Sequence, residues 1–230
     1  MIKELSISVL CLSILAGCAV TPPMSLTKQE QHELGELRGT VFIPQNTLLV
    51  TVTPTNPGAT GLLGALVAAG IDAARRANAE STAAPMLEQL KSYDFRAVMK
   101  QASNDAIGTL PDIKFSAPLD VDTVSSASEK RIVFDKSTAS AVLFVDVGYQ
   151  LQSGNLYASA NAVMFPKSDK LMQFRKRPNE ADPLDAGNAI YRQTFSFSKQ
   201  NVSASDIQGD LTEAAQSLAS QIAADLNHPL

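Results

Sequence analysis

The chain has 230 residues, 45% of them hydrophobic, and a formal charge of -4 from 19 basic and 23 acidic side chains. It can therefore close one globular core, and it carries no basic excess of the kind that nucleic acid or an anionic lipid surface attracts. Two cysteines, Cys11 and Cys18, and two histidines, His32 and His228, leave almost nothing from which to build Ser-His-Asp or Cys-His catalysis or a His-rich metal centre. The glycines at 58, 61, 64 and 70 fit neither the dinucleotide fingerprint nor a P-loop, so no cofactor and no metal is expected.

Residues 1–4, Met-Ile-Lys-Glu, precede an apolar run over 5–15 and the small residues Ala16 and Gly17 before Cys18. This is the anatomy of a signal peptide, and the uncharged run over 5–20 falls short of the roughly 20 residues a helix needs to span a bilayer. Leu15-Ala16-Gly17-Cys18 resembles the lipobox of bacterial lipoproteins, although the single Lys3 is offset by Glu4. The resemblance implies cleavage between Gly17 and Cys18. It also implies a diacylglycerol thioether on Cys18 and an acylated amino group, with a fatty acid such as palmitate. Cys11 would leave with residues 1–17, and the mature chain would keep its charge of -4 with neither free thiol nor disulfide. Ala19 after the cysteine implies, by resemblance to enterobacterial sorting, the outer membrane, with the domain facing the periplasm.

Residues 18–37 are rich in Thr, Pro, Gln and Glu and read as a flexible tether, with a short helix over 27–37. The domain then occupies 38–230. Its first strands are read at 38–43 and 47–53, where Leu48, Val50 and Val52 alternate with Thr51 and Thr53. A turn over 54–58 leads into the apolar helix at 61–71, whose small residues Gly61, Ala65 and Ala69 recur at four-residue spacing. Two readings stay open for it: a helix buried in its own domain, or an exposed apolar surface that meets lipid or another subunit.

The helical pattern breaks over 81–85, at Pro85. Asp94 is placed to cap a helix that carries Phe95, Val98, Met99, Ala102 and Ala106 on one face and stops near Gly108. Residues 112–115 read as a short strand, 129–134 as strand or helix. The clearest β signal follows, with Leu143, Val145, Val147, Tyr149 and Leu151 on one face. Gln152-Ser153-Gly154-Asn155 turns the chain into a second strand with Leu156, Ala158, Ala160, Ala162 and Met164 inward. Residues 166–188 form a 23-residue loop, long enough to be functional or disordered, and 189–197 complete a meander. Ser205-Asp206-Ile207-Gln208 matches a capping box before an amphipathic helix with the stripe Ile207, Leu211, Ala214, Leu218, Ile222 and Leu226.

These elements predict an α+β fold: a mixed sheet with an antiparallel three-stranded meander at about 140–199, helices packed on one face and a C-terminal amphipathic helix. The element order over 40–226 resembles the small periplasmic α/β domain of TolB-type translocation proteins and of the lipoprotein that activates a penicillin-binding protein. No signature residues are shared, and no site carries over.

Carboxylate pairs such as Asp120 with Asp122, or Asp182 with Asp185, could in principle do acid-base work, but both lie in polar loop sequence that serves turns. Asp146 interrupts an apolar strand on the face that also holds Gly148 and Gln150, so exposure accounts for it. Arg175-Lys176-Arg177, with Phe174 beside them, form a basic patch that suits peptidoglycan carboxylates, lipopolysaccharide phosphates or an acidic partner, or else a solvated loop tip. The expectation is thus a non-enzymatic envelope lipoprotein that binds the membrane through its anchor and presents a domain to a periplasmic or membrane protein. The alternative is a subunit of an oligomeric secretion or transport assembly, resembling curli-type secretion lipoproteins, that self-associates through 58–76 with Gly61, Gly64 and Leu66. A cell-wall or lipid-acting enzyme is the distant third reading.

Overall fold

The computed structural model of the protein describes residues 22–52 and 61–230. Gly17, Cys18 and the turn expected at 54–58 lie outside the described residues. A long hairpin organises the fold. β5 (Ala141–Gln152) pairs with β6 (Asn155–Pro166) over its whole length, from Ala141 opposite Pro166 to Gln152 opposite Asn155. The connecting Ser153 and Gly154 have φ of 51° and 77°, the two positive values a two-residue type I′ turn requires.

β6 continues the antiparallel order to β7 (Tyr191–Lys199). The other edge of β5 is shared by two parallel partners, β1 (Glu36–Phe42) and, further along, β2 (Leu49–Thr51). β3 (Lys114–Phe115) and β4 (Asp120–Asp122) then pair in parallel with the outer edge of β1. Among the described residues the result is a mixed seven-stranded sheet of order β3-β1-β5-β6-β7, with β2 and β4 off this path, in an α+β fold as the hydrophobic pattern predicts. Gly39 of β1 lies against Leu119 and Phe115, where a Cβ would meet the end of the Leu119 side chain and force it to shift.

Among the described residues six α-helices accompany the sheet: α1 (Lys28–Glu33), α2 (Gly61–Gln89), α3 (Phe95–Ile107), α4 (Ala127–Lys136), α5 (Asp169–Met172) and α6 (Ile207–Asn227). The main core lies between the sheet and α3 and α6. All six predicted stripe residues of α6 are buried with the inward rows of β5 and β6. Ala158, Ala160 and Ala162 are at most 3% exposed, and their small size lets α6 sit close against β6. Asp94 caps α3 as expected, accepting the Ala97 amide at 3.1 Å.

α4 covers one end of the opposite face, where Phe134 joins Phe42, Val142, Phe144, Phe165 and Ala189 in a second cluster. Its rings meet in tilted pairs, Phe42 to Phe144 at 5.8 Å and Phe144 to Phe165 at 6.1 Å, the arrangement the ring quadrupoles favour.

Four local expectations change. The tether expected over 18–37 is folded from Met24 onward: Leu26 and Leu34 are each 1% exposed in the main core, and Leu26 and Lys28 hydrogen-bond the backbone of Leu230. Its helix is shorter than 27–37, because the capping box of Thr27 and Glu30 starts it and β1 claims residues from Glu36. α2 runs through Pro85 to Gln89 instead of breaking at 81–85, since burying Ala83 and Met86 offsets the lost hydrogen bond. The capping box expected at 205–208 does not form. Asp206 stands at the N-cap of α6 but accepts the Ser203 hydroxyl at 2.6 Å, which turns its carboxylate from the helix amides.

Candidate functional site

The long loop over 166–188 is ordered, and its supports are polar. Lys167 leaves the end of β6 and donates through Nζ to the last carbonyls of α4, those of Phe134 at 2.5 Å and Ser137. A cation at a helix C-terminus complements the dipole, while desolvation holds the Lys167 pKa below the usual lysine range. Asn188, only 1% exposed, acts as the hub. It accepts the Asn179 amide at 2.9 Å and donates to the carbonyls of Asn179 at 2.7 Å and Asp182 at 2.8 Å. Asp185 accepts the Gly187 amide at 2.8 Å and Asp182 that of Leu184 at 3.0 Å. This carboxylate pair makes turns.

The loop meets the beginning of the domain at a seam. Met24 and Arg192 exchange backbone hydrogen bonds of 2.7 and 2.8 Å, fastening the N-terminal segment to the free side of β7. Beside this bridge is a cavity of about 400 Å³ lined by Pro22, Pro23, Met24, Lys176, Arg177 and Arg192, with Asp185 its single carboxylate. Lys176 and Arg177 are exposed and have no ion-pair partner among the described residues. The Arg192 guanidinium donates to the Ala186 carbonyl at 2.6 Å.

The basic patch expected at Arg175-Lys176-Arg177 is therefore divided. Arg175 turns back, donating to the Met172 carbonyl at 2.9 Å and pairing with Glu180 at 2.8 Å, with its side chain 15% exposed. Arg192 takes the third place. Nothing in the alternation of β7 distinguishes it, because only the loop and the Met24 bridge bring it to Lys176 and Arg177.

A second pocket, of about 320 Å³, opens on the face covered by α4, with Phe144, Val163, Phe165 and Leu184 as its apolar part and Lys130, Arg131, Asp146 and Asp182 as its polar part. Exposure alone does not account for Asp146, which is half-buried. It pairs with Lys130 Nζ at 2.6 Å and accepts the Ser125 hydroxyl. The Lys130 ammonium lies 5.3 Å from the centre of the Phe42 ring.

Asp120 and Asp122 sit in β4, a strand the sequence does not announce, and do not share a site. Asp120 is held below the usual carboxylate range by the Lys100 ammonium at 3.0 Å, with Arg38 at 3.3 Å adding to it, and Asp122 accepts the Val124 amide. Among the described residues no group of three or more His, Cys, Asp or Glu is placed to hold a metal ion.

Gly61, Gly64 and Leu66 lie on the first turns of α2, far in sequence from the turns that pack on the body. From Ala74 to Thr82 the described side chains of this helix are exposed except the half-buried Ala79, and Ala83 and Met86 are the first that are buried. No described helix is long and apolar enough to cross a membrane.

No family model and no curated protein sequence matches the chain. Among solved structures it is similar to a PelC dodecamer from Paraburkholderia phytofirmans, at 10% identity over 87% of this chain and 92% of that one, with a TM-score of 0.33. It is similar also to an uncharacterised protein, at 9% identity over 89% and 96% of the two chains and a TM-score of 0.38. The hypothetical protein CT253 from Chlamydia trachomatis matches at 7% identity over 82% and 98%, with a TM-score of 0.35. At these scores none of the three bears on function.

Proposed function

We propose that the protein is a lipid-anchored cell-envelope lipoprotein whose α+β domain is a non-enzymatic interaction module held close to the outer membrane on its periplasmic side. One observation carries the reading: Met24, six residues beyond the lipobox cysteine Cys18, is already fastened to the body by its backbone hydrogen bonds to Arg192. Six residues of extended chain span at most roughly 20 Å, so an acylated Cys18 keeps the domain against the membrane. Several acyl chains make such an anchor effectively permanent.

Mass spectrometry of the mature N-terminus after expression in a Gram-negative host, with fractionation, tests this. The expected result is a chain that starts at an acylated Cys18 in the outer-membrane fraction, and a soluble, unacylated Cys18→Ser variant. A wild-type chain with an unmodified Cys18 in the soluble fraction would overturn it.

The second reading, self-association through 58–76, is favoured by the exposure of most α2 side chains from Ala74 to Thr82, which adjoin and overlap that segment. Gly64→Glu or Leu66→Asp should then convert an oligomer to a monomer in gel filtration with an unchanged circular dichroism spectrum. Loss of folding in both variants would identify the segment as internal core.

A further inference from the structure

We infer that Lys176, Arg177 and Arg192, gathered at the seam with Pro22, Pro23 and Met24, form a binding site for the phosphates of anionic lipid headgroups on the membrane that carries the anchor. The inference rests on the lipid-anchor reading for its geometry, and on the seam itself for its chemistry. Three cations and one carboxylate line the same cavity of about 400 Å³. That carboxylate, on Asp185, is already occupied with the Gly187 amide. The net charge of -4 conceals this local excess, which is confined to the residues that line the seam.

The cations are also presented on fixed backbone. The Arg177 amide donates to the Gly187 carbonyl at 3.2 Å, and a Cβ on Gly187 would collide with the backbone of Arg177, so the two strands of the loop pass as closely as glycine allows. Asn188 locks the same turn. Two long cationic side chains that pair with nothing among the described residues are thereby held at one place.

What faces that place is set by chain length. Pro22 is four residues from Cys18, at most about 14 Å of chain, which is comparable with the headgroup layer plus one Debye length. An acidic periplasmic protein would have to enter this gap, whereas lipid phosphates already fill it. Arg forks suit phosphate oxygens, and Lys176 adds a point charge.

Vesicle sedimentation of the mature chain carrying Cys18→Ser, which removes the anchor but keeps residues 18–230, tests the site. Binding is expected to vesicles of phosphatidylglycerol and phosphatidylcholine in equal parts, not to pure phosphatidylcholine, and to disappear in 0.5 M salt. Lys176→Ala with Arg177→Ala should weaken partitioning about 25-fold, and Lys114→Ala, on the far edge strand β3, less than twofold. Three results would overturn the site: no preference for the anionic vesicles, equal losses from the seam and Lys114 variants, or displacement by millimolar inorganic phosphate at constant ionic strength, which would make free phosphate the ligand. Acylation of the wild-type Cys18 is measured separately, so an unmodified Cys18 in the wild-type chain together with vesicle binding by the Cys18→Ser chain would refute the anchor and leave the site standing.

Discussion

Along β5 the side chains directed at α3 and α6, from Leu143 to Leu151, are all buried, whereas the opposite row passes from buried Val142 and Phe144 to half-buried Asp146, Gly148, Gln150 and Gln152. β6 repeats the contrast: Ala158, Ala160 and Ala162 lie inside, while Tyr157, Ser159 and Asn161 are exposed. One face is therefore a closed apolar contact that holds the domain together. The other is closed only at the end where α4 and the loop over 166–188 cover it. Both cavities described above border that partial cover, and so stability and surface chemistry are assigned to different sides of one sheet.

The contrast can be broken by substitution. Leu143→Ala, on the closed face, is expected to lower unfolding free energy by about 2–5 kcal/mol in urea titration, through lost transfer energy and a cavity. Gln150→Ala on the same strand should change it by less than about 0.5 kcal/mol. Similar losses from both would mean that the open face is covered in solution.

Asn188→Ala comes next. Removing three hydrogen bonds of a buried amide should cost about 2 kcal/mol and expose the loop to limited proteolysis between 173 and 187, while β5 and β6 keep their hydrogen-exchange protection. Coincident loss of protection in the hairpin would show that the loop belongs to the main cooperative unit.

The smallest effect concerns acid. Because Lys100 and Arg38 hold the Asp120 carboxyl below its ordinary value in the folded chain, its contribution is present above the unfolded pKa and is lost as pH falls through the lower, folded one. Asp120→Asn should therefore lower stability near pH 7, only slightly because the pair is exposed and screened, with the difference vanishing as pH falls, so that the acid limb of the profile is flatter. An unchanged acid limb would place the Asp120 ion pairs outside the stability of the sheet.

How much of this the sequence discloses depends on the length of the pattern. The hairpin and α6 repeat their periods over 12 and 21 residues, and their faces are read correctly residue by residue. β4 has three residues, two of them aspartates, so no alternation exists to be read. The N-terminal segment hides in a different way. Its buried residues Leu26 and Leu34 are isolated among polar neighbours and dock singly, so composition reports a tether where packing makes a seam. The site is the least legible part. Lys176 and Arg177 stand out as charge, but Arg175 is diverted by Glu180 and Arg192 arrives from another strand, and both facts follow from a loop whose shape depends on one buried asparagine.

Between β1 and β2 the chain leaves the edge of β5 and rejoins it, and the gap is filled by a side chain. The amide of Gln45 donates to the Tyr149 carbonyl at 2.7 Å and accepts the Tyr149 amide at 3.0 Å, as a strand residue would. Arg96 braces that bend, donating to the carbonyls of Ile43 at 3.0 Å and Gln45 at 2.9 Å. The sheet thus contains a latch. One side chain here stands in for a stretch of ladder: without the Gln45 amide, two backbone groups of Tyr149 would lose their partners in the middle of an otherwise sealed edge.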